Sequence, residues 1–536
     1  MIEKICGMVG NPILPEIDWS DEQMQILKSC GFNMLQLNIA WDNRPEGEVL
    51  NLDDLGEKEI IEFKRRIKMA EKHGMKVMPH FGIPKMEIID AYNLSVYMKP
   101  SCIQKNSTLE RNIGMMKRLL EECPQIDDIM FYTYDQHAWI CSEFGMCPDC
   151  SGVPIYERLP QFIRLLTDEA ASVNPNVTMW WQPWELSAGQ VYKIVGLLEP
   201  DHLGLVMNTA ITESYYHNKE ELWLKNVADI AYERGIPILG EIQATGSGVG
   251  SVPLQSIPCP RFVYQQIKTF DNLPAAIGIK EHFGIAFSKL SVNTLFLAAY
   301  FKNPNGSYQE IVEEVAALYG DEISEILLEA WELVARATEF IPFDMTYLLT
   351  NIAGYSPNHP WDAPEIQAIH CDTPAWESSR RGFYALTHAT EYHPWLLEDC
   401  GLRFDEAAKR LYKAHELLKS CEEQATGRID DLREQISDVR KMSRAVKGQA
   451  LHMLETLAAY DLRVALFQGR QEKIEQSVIR LDKLLYEDVV NQDEAEDICF
   501  QYKAYQEDPV LWVDLHLRQQ EKFYIDTHMA RVDQRY

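Results

Sequence analysis

Residues 131–152 read FYTYDQHAWICSEFGMCPDCSG. The stretch opens on aromatic residues that suit a strand, reaches a carboxylate at Asp135, and then breaks into a loop where His137, Cys141, Cys147 and Cys150 crowd together. A strand that hands an acid to a long loop and then to a helix is how a (β/α)8 barrel presents its reactive groups, because active residues sit at the C-terminal strand ends. The stretch therefore predicts an enzyme.

Outward from it, short apolar runs alternate with amphipathic helices in both directions, the sign of a parallel α/β architecture. Strands are expected at 5–11, 33–41, 75–82, 128–135, 177–185, 202–209, 236–243 and 275–284. Helices fall between them, the clearest being Ile155 to Val173. Eight strands at this spacing suit a closed barrel rather than an open sheet. Gly31, Gly74 and Gly235, in GFN, HGMK and RGIP, are placed to end a helix and turn the chain into the next strand. After Gly284 the strands stop. Amphipathic helices follow, interrupted by a Pro- and aromatic-rich passage from Ile341 to Arg403. The expected organisation is a TIM barrel over 1–303, helices and an aromatic-rich connection over 304–403, and an all-α helical domain over 404–536. Opposite charges three apart, Asp430 with Arg433 and Asp438 with Lys441, suit a solvated helix face or a homodimer surface.

Composition narrows the function. The chain has 536 residues, 46% of them hydrophobic and 25% charged, which is ordinary for a globular protein. A net charge of -30 opposes binding to nucleic acid or to an anionic membrane. Its 24 Tyr and 12 Trp exceed what a core alone requires and suit stacking on sugar faces. The start shows no apolar leader and no later run is long enough to span a bilayer, so the expected compartment is the cytoplasm, where most of the 12 cysteines would be buried thiols.

Candidate chemistry collects at the expected strand ends: Trp41, His80, Asp135, Trp184 and Glu185, Asn208, Glu241, and Glu281 with His282. One acid there is most simply a surface charge. Four on one rim, with tryptophans between, oppose one another electrostatically and point to function. Glycosidic cleavage needs two carboxyl groups flanking the anomeric carbon, one to protonate the leaving oxygen and one to attack or to activate water. Glu241, before a glycine-rich loop, suits the nucleophile or base. Asp135 and Glu185 compete for the acid, Glu185 because MWWQPWE surrounds it with tryptophans that would desolvate it. Trp180 and Trp181 either pack inside and outside the barrel or touch ligand. Trp41, His80, Trp184, Asn208, Glu281 and His282 are substrate-binding candidates. No H-x-H ends the first strand and no G-x-S-x-G elbow is present, which disfavours the common metallohydrolase and serine hydrolase arrangements.

The spacing His137-x3-Cys141-x5-Cys147-x2-Cys150 offers tetrahedral zinc ligands. With four protein ligands such a zinc would be structural, and catalysis itself would need no cofactor. Alternatively the cysteines are reduced core thiols, or His137 touches substrate and Cys102 or Cys259 completes the metal site.

On the residues of 131–187 and the helix AALYGDEISEILLEAWELV at 316–334, the chain resembles (β/α)8 glycoside hydrolases, loosely the group of β-hexosaminidases, α-glucuronidases and their uncharacterised bacterial relatives. The resemblance implies a barrel followed by helices and a carbohydrate substrate. Two departures bear on mechanism. Asp135 is followed by Gln136 rather than Glu, so acetamido-assisted catalysis does not carry over, and the Asn-Glu pair of the largest retaining clan is missing. The expectation is a glycosidase acting on a small glycoside or oligosaccharide. A metal-dependent sugar isomerase or lyase using His80, Glu241, Glu281 and His282, or a non-catalytic sugar-binding protein, are the alternatives.

Overall fold

The computed structural model describes residues 3–8, 19–38, 57–85, 87–88, 98–135, 138–143, 145, 147–183, 186, 188–208, 222–242, 244, 257–281, 290–341, 394–492 and 496–517. Eight strands form a closed parallel barrel: β1 (Lys4–Met8), β2 (Met34–Asn38), β3 (Lys76–Gly82), β4 (Asp128–Tyr132), β5 (Thr178–Gln182), β6 (Leu203–Asn208), β7 (Ile238–Ile242) and β8 (Ala276–Glu281). The ring closes where β8 pairs with β1, Lys4 opposite Gly278 and Cys6 opposite Lys280. Between them lie α1 (Asp21–Ser29), α2 (Glu57–Lys72), α3 (Asn106–Glu122), α4 (Ile155–Val173), α5 (Ala188–Val195), α6 (Leu222–Arg234) and α7 (Pro260–Asp271). Gly31, Gly74 and Gly235 have φ of 92°, 68° and 74°, the left-handed turn that lets each helix stop and the next strand begin.

Both faces of these strands are buried, and alternation decides what each face meets. Met34, Met78, Met130, Trp180, Val206 and Leu239 fill one layer of the barrel interior, with Ile277 against them. Their neighbours Leu35, Val77, Ile129, Trp181, Leu205 and Ile238 turn outward into the larger core under the helices. Trp180 and Trp181 thus pack on opposite sides of β5. Trp180 Nε1 donates to Asp128 Oδ1 at 2.8 Å, so the indole brings its own polar atom a partner inside the barrel. Gly204 lies opposite it on β6, where a Cβ would fall 2.3 Å from the indole ring; only a residue without a side chain leaves room there.

One irregularity matters for the site. Ile238 pairs with Ala276, but the next residue, Leu239, pairs with Gly278. The extra residue on β8 is a bulge that shifts the alternation by one position. Beyond it Lys280, rather than Ile279, faces the interior.

The fourth strand also ends earlier than its sequence suggests. β4 stops at Tyr132, and Tyr134–Asp135 pairs with Ala138–Trp139 as a separate two-stranded hairpin. That hairpin is bridged to the segment after β3, through Lys85 to Ala138 and Ser101 to Ile140.

Helices α8 (Val292–Lys302), α9 (Tyr308–Ala317) and α10 (Ser324–Thr338) follow, then α11 (Pro394–Cys421), α12 (Ile429–Gln468), α13 (Gln471–Asn491) and α14 (Glu496–Glu507). One apolar cluster runs from Trp19 in the barrel to Leu457 in α12. A second, smaller cluster begins at Ala458 and joins α12 to Leu481, Tyr505 and Trp512. Trp331 Nε1 donates to Gln435 Oε1 at 3.0 Å, and the Tyr319 hydroxyl donates to Asp431, so buried polar contacts also tie α9–α10 to α12. The expected helix-face pairs are present, Arg433 with Asp430 at 3.6 Å and Lys441 with Asp438 at 3.2 Å. Of the Pro- and aromatic-rich passage from Ile341 to Arg403, residues 342–393, with Tyr355, His359, Trp361 and Trp376, lie outside the described residues, and its end from Pro394 already belongs to helix α11. No described helix is long and apolar enough to cross a membrane.

Glu455 on α12 is 5% exposed, and among the described residues its Oε1 has no hydrogen-bond partner. Burial, with Asp488 nearby, pushes its carboxyl up to about 8. The folded protein therefore holds this proton at pH values where the unfolded chain, near the ordinary 4.5, has lost it. Its linkage makes stability fall as pH rises from about 4.5 toward about 8. A Glu455→Gln variant should lose that part of the pH dependence in urea unfolding followed across this window; a profile superimposable on the parent's would contradict the assignment.

Candidate active site

At the C-terminal mouth of the barrel the interior changes from apolar to polar within one residue pair on each strand from β2 to β7. Above Met34 stands Gln36, above Met78 His80, above Met130 Tyr132, above Trp180 Gln182, above Val206 Asn208, and above Leu239 Glu241. Lys280 joins them because of the β8 bulge. Except for Asn208, which is half-buried, these side chains are buried.

Glu241 is the centre of this layer. It lies beside Asn208 on β6 and beside Lys280 on β8 in the strand register. Lys280 Nζ makes a close ion pair with Glu241 Oε2, the two side chains being 2% and 1% exposed. Gln182 Nε2 adds hydrogen bonds to both carboxylate oxygens at 3.3 and 3.1 Å. Two charges removed from water are tolerated only when each finds the other and the remaining lone pairs are occupied. Both described partners are donors, which suits a carboxylate rather than a carboxylic acid. Fixed in this way, Glu241 is equipped to accept a proton or to attack, not to protonate a leaving group. Among the described residues, Gln182 Oε1 is buried without a donor, an acceptor set beside the carboxylate.

On the opposite wall Gln36 Nε2 lies 2.9 Å from His80 Nδ1. The amide and the imidazole each offer a donor and an acceptor, so the two groups orient one another. The edge of Tyr132 meets His80 with ring centroids 5.1 Å apart.

The structure places the expected residues unevenly. Glu241, His80 and Asn208 share the mouth layer. Glu281 is buried on the outward side of β8, its Oε2 accepting from the Ala244 N–H at 2.9 Å, so it holds the chain leaving β7. Asp135 is not on a barrel strand but in the hairpin, three residues past the end of β4. Trp41, Trp184, Glu185, His137 and His282 lie outside the described residues. Lys280, Gln182 and Gln36 did not figure among the candidates. Each is a polar residue in a largely apolar strand run, as in IGIKE, MWWQ and MLQLN, and the same pattern marks His80 and Glu241.

A second constellation lies between the segments following β3 and β4. The thiol sulfurs of Cys102, Cys141, Cys147 and Cys150 all fall within 4.8 Å of one another. Cys102 thus takes the place held open for a fourth member of the group, while Cys259 sits at the start of α7 in the main core.

No family model matches this chain, and no curated relative matches it in sequence. In structure it is similar to a GH138 enzyme targeting pectin rhamnogalacturonan II, with a TM-score of 0.57 at 11% identity. That similarity covers 93% of this chain and 63% of the other, so the chain spans less than two thirds of that enzyme's length. A mutant of the O-GlcNAc hydrolase of Thermobaculum terrenum aligns over 95% of this chain and 98% of its own, with a TM-score of 0.45 at 11% identity. The chain shares the fold of (β/α)8 glycoside hydrolases with a helical region after the barrel.

The ion pair makes a direct prediction. Lys280→Met leaves a buried carboxylate without its cation and should cost about 3–5 kcal/mol in urea unfolding. Glu241→Gln keeps an amide oxygen for the ammonium and should cost less. Combining the two should recover part of the Lys280→Met loss, whereas an unchanged unfolding midpoint for Lys280→Met would contradict the pairing.

Proposed function

We propose that this protein is a glycoside hydrolase acting on a small glycoside or oligosaccharide, with Glu241 as the nucleophile or general base. The observation that carries the reading is the buried Glu241–Lys280–Gln182 group at the mouth of a barrel whose fold is shared with a glycosidase. Hydrolysis of a glycosidic bond needs a carboxylate held ionised and aimed at one face of the sugar, and a second carboxyl group in acid form on the other. Lys280 and Gln182 provide the first condition for Glu241. The second carboxyl is assigned to Asp135, in the hairpin after β4, or to Glu185, three positions after Gln182 in the sequence.

The surrounding groups suit a polyhydroxylated ligand. Gln182 Oε1 is an acceptor for a sugar hydroxyl, and the His80 ring, its Nδ1 beside Gln36, adds a second polar group to the same layer. Asn208 and Tyr132 complete a wall of mixed donors and acceptors, and Trp41 and Trp184 are retained as stacking candidates. In the proposed reaction the acid donates its proton to the leaving oxygen as the C–O bond breaks. Glu241 either bonds to the anomeric carbon, to be displaced later by water, or takes a proton from the water that attacks it.

The proposal is tested with a panel of aryl glycosides and oligosaccharides turned over by the whole protein. Glu241→Gln should lower kcat by about 10²–10⁴-fold or more while the circular dichroism spectrum stays that of the parent. A folded Glu241→Gln protein that keeps most of its glycosidase activity would move the chemistry to Glu185 or Asp135. Activity abolished by chelator and restored by magnesium or manganese would favour the isomerase or lyase alternative.

A further inference from the structure

Four cysteines from two separate loops meet beside the hairpin that carries Asp135. Cys102 comes from the segment after β3; Cys141, Cys147 and Cys150 come from the segment after β4. All four sulfurs lie within 4.8 Å of one another, and Cys102 Sγ is 3.5 Å from Cys150 Sγ. A disulfide requires about 2.05 Å, so these are not bonded pairs. A single tetrahedral ion with metal–sulfur bonds of about 2.3 Å would set its ligands roughly 3.8 Å apart, the scale seen here.

The backbone turns tightly after a cysteine in both loops: Cys150 N donates to Cys147 O at 3.2 Å and Lys105 N to Cys102 O at 3.1 Å, the same three-residue step in each. Around them the segment is closed by its own bonds: Ser151 N donates to Cys147 O at 2.8 Å and Gly152 N to Glu143 O at 2.8 Å. Arg158, buried at the start of α4, donates to Cys141 O at 3.0 Å and to Val153 O at 2.9 Å, placing a cation beside the group. Four thiolates and a divalent ion carry a net charge of -2, which a neighbouring guanidinium is suited to balance.

We propose that Cys102, Cys141, Cys147 and Cys150 bind one zinc ion, the four thiol protons passing to solvent as the Zn–S bonds form. With four protein ligands the ion has no open position and its role is structural. It clamps the loop after β3 to the loop after β4. Cys141 N also donates to Ser101 O at 3.2 Å, and Ser101 Oγ to Lys85 O at 2.6 Å, so the clamp extends into the bridges that hold the Asp135 hairpin. This inference stands whether or not the protein is a glycosidase.

The experiment is elemental analysis of the full-length protein purified without chelator, with Cys102→Ser and Cys499→Ser variants in parallel. About one zinc per chain in the parent and in Cys499→Ser, and its loss in Cys102→Ser, is the expected result. Should Cys102→Ser fail to fold, cobalt exchanged into the parent protein provides the second measurement. It should give the d–d and thiolate charge-transfer bands of a tetrahedral tetrathiolate centre. Absence of zinc, iron in its place, full zinc retention in Cys102→Ser, or cobalt without those bands would each overturn the proposal.

Discussion

The mouth of this barrel depends on one buried ion pair. Glu241 and Lys280 occupy neighbouring strands, almost wholly out of water, and neither is tolerable there without the other. The requirement reaches into the backbone. Without the bulge that lets β8 advance by two residues against one of β7, the strict alternation would turn Ile279 inward and Lys280 into the helix layer. The irregularity puts a cation where the carboxylate needs it, which is the usual reason a bulge sits beside a site.

Most of the barrel was legible in the sequence because its signals are local. Apolar runs long enough for a strand, all but the first preceded by a helix and three of them by a glycine, fix both the period and the turning points. The exceptions have local causes too. The run DIMFYTYD reads as one strand, yet Tyr134 and Asp135 leave it to pair with Ala138 and Trp139; aromatic residues favour any extended segment, so their pattern does not say where a barrel strand gives way to a hairpin. The expected division sets helices and a connection at 304–403 and a helical domain at 404–536 after the barrel. One apolar cluster runs through barrel residues and on to Leu457 in α12, a long-range property that no window of sequence contains.

The site was legible in its anchor and not in its partners. Glu241 was found by position, as the acid at the end of the seventh strand. Its expected neighbours were other acids, whereas its described bonds go to Lys280 and Gln182. Counting residues cannot show that a bulge has flipped a lysine inward. A polar residue in a largely apolar strand buried on both faces is a usable signal, shared by Gln36, His80, Gln182, Glu241 and Lys280. For the cysteines, the C-x2-C knuckle marked the group, but Cys102, 39 positions before Cys141, joins it only through the packing of two loops.

The central claim is that Glu241 meets the reacting carbon of a sugar. The most direct test is a crystal structure of the protein with an unreactive glycoside analogue bound. The account predicts the anomeric carbon within about 3–3.5 Å of a Glu241 carboxylate oxygen, or of a water that it holds. It also predicts a second carboxyl group across the ring, about 5 Å away for retention or roughly 6.5–9.5 Å for inversion. A sugar bound away from the mouth, with Glu241 still enclosed by Lys280 and Gln182 and no carboxylate facing the glycosidic bond from its side, would contradict it.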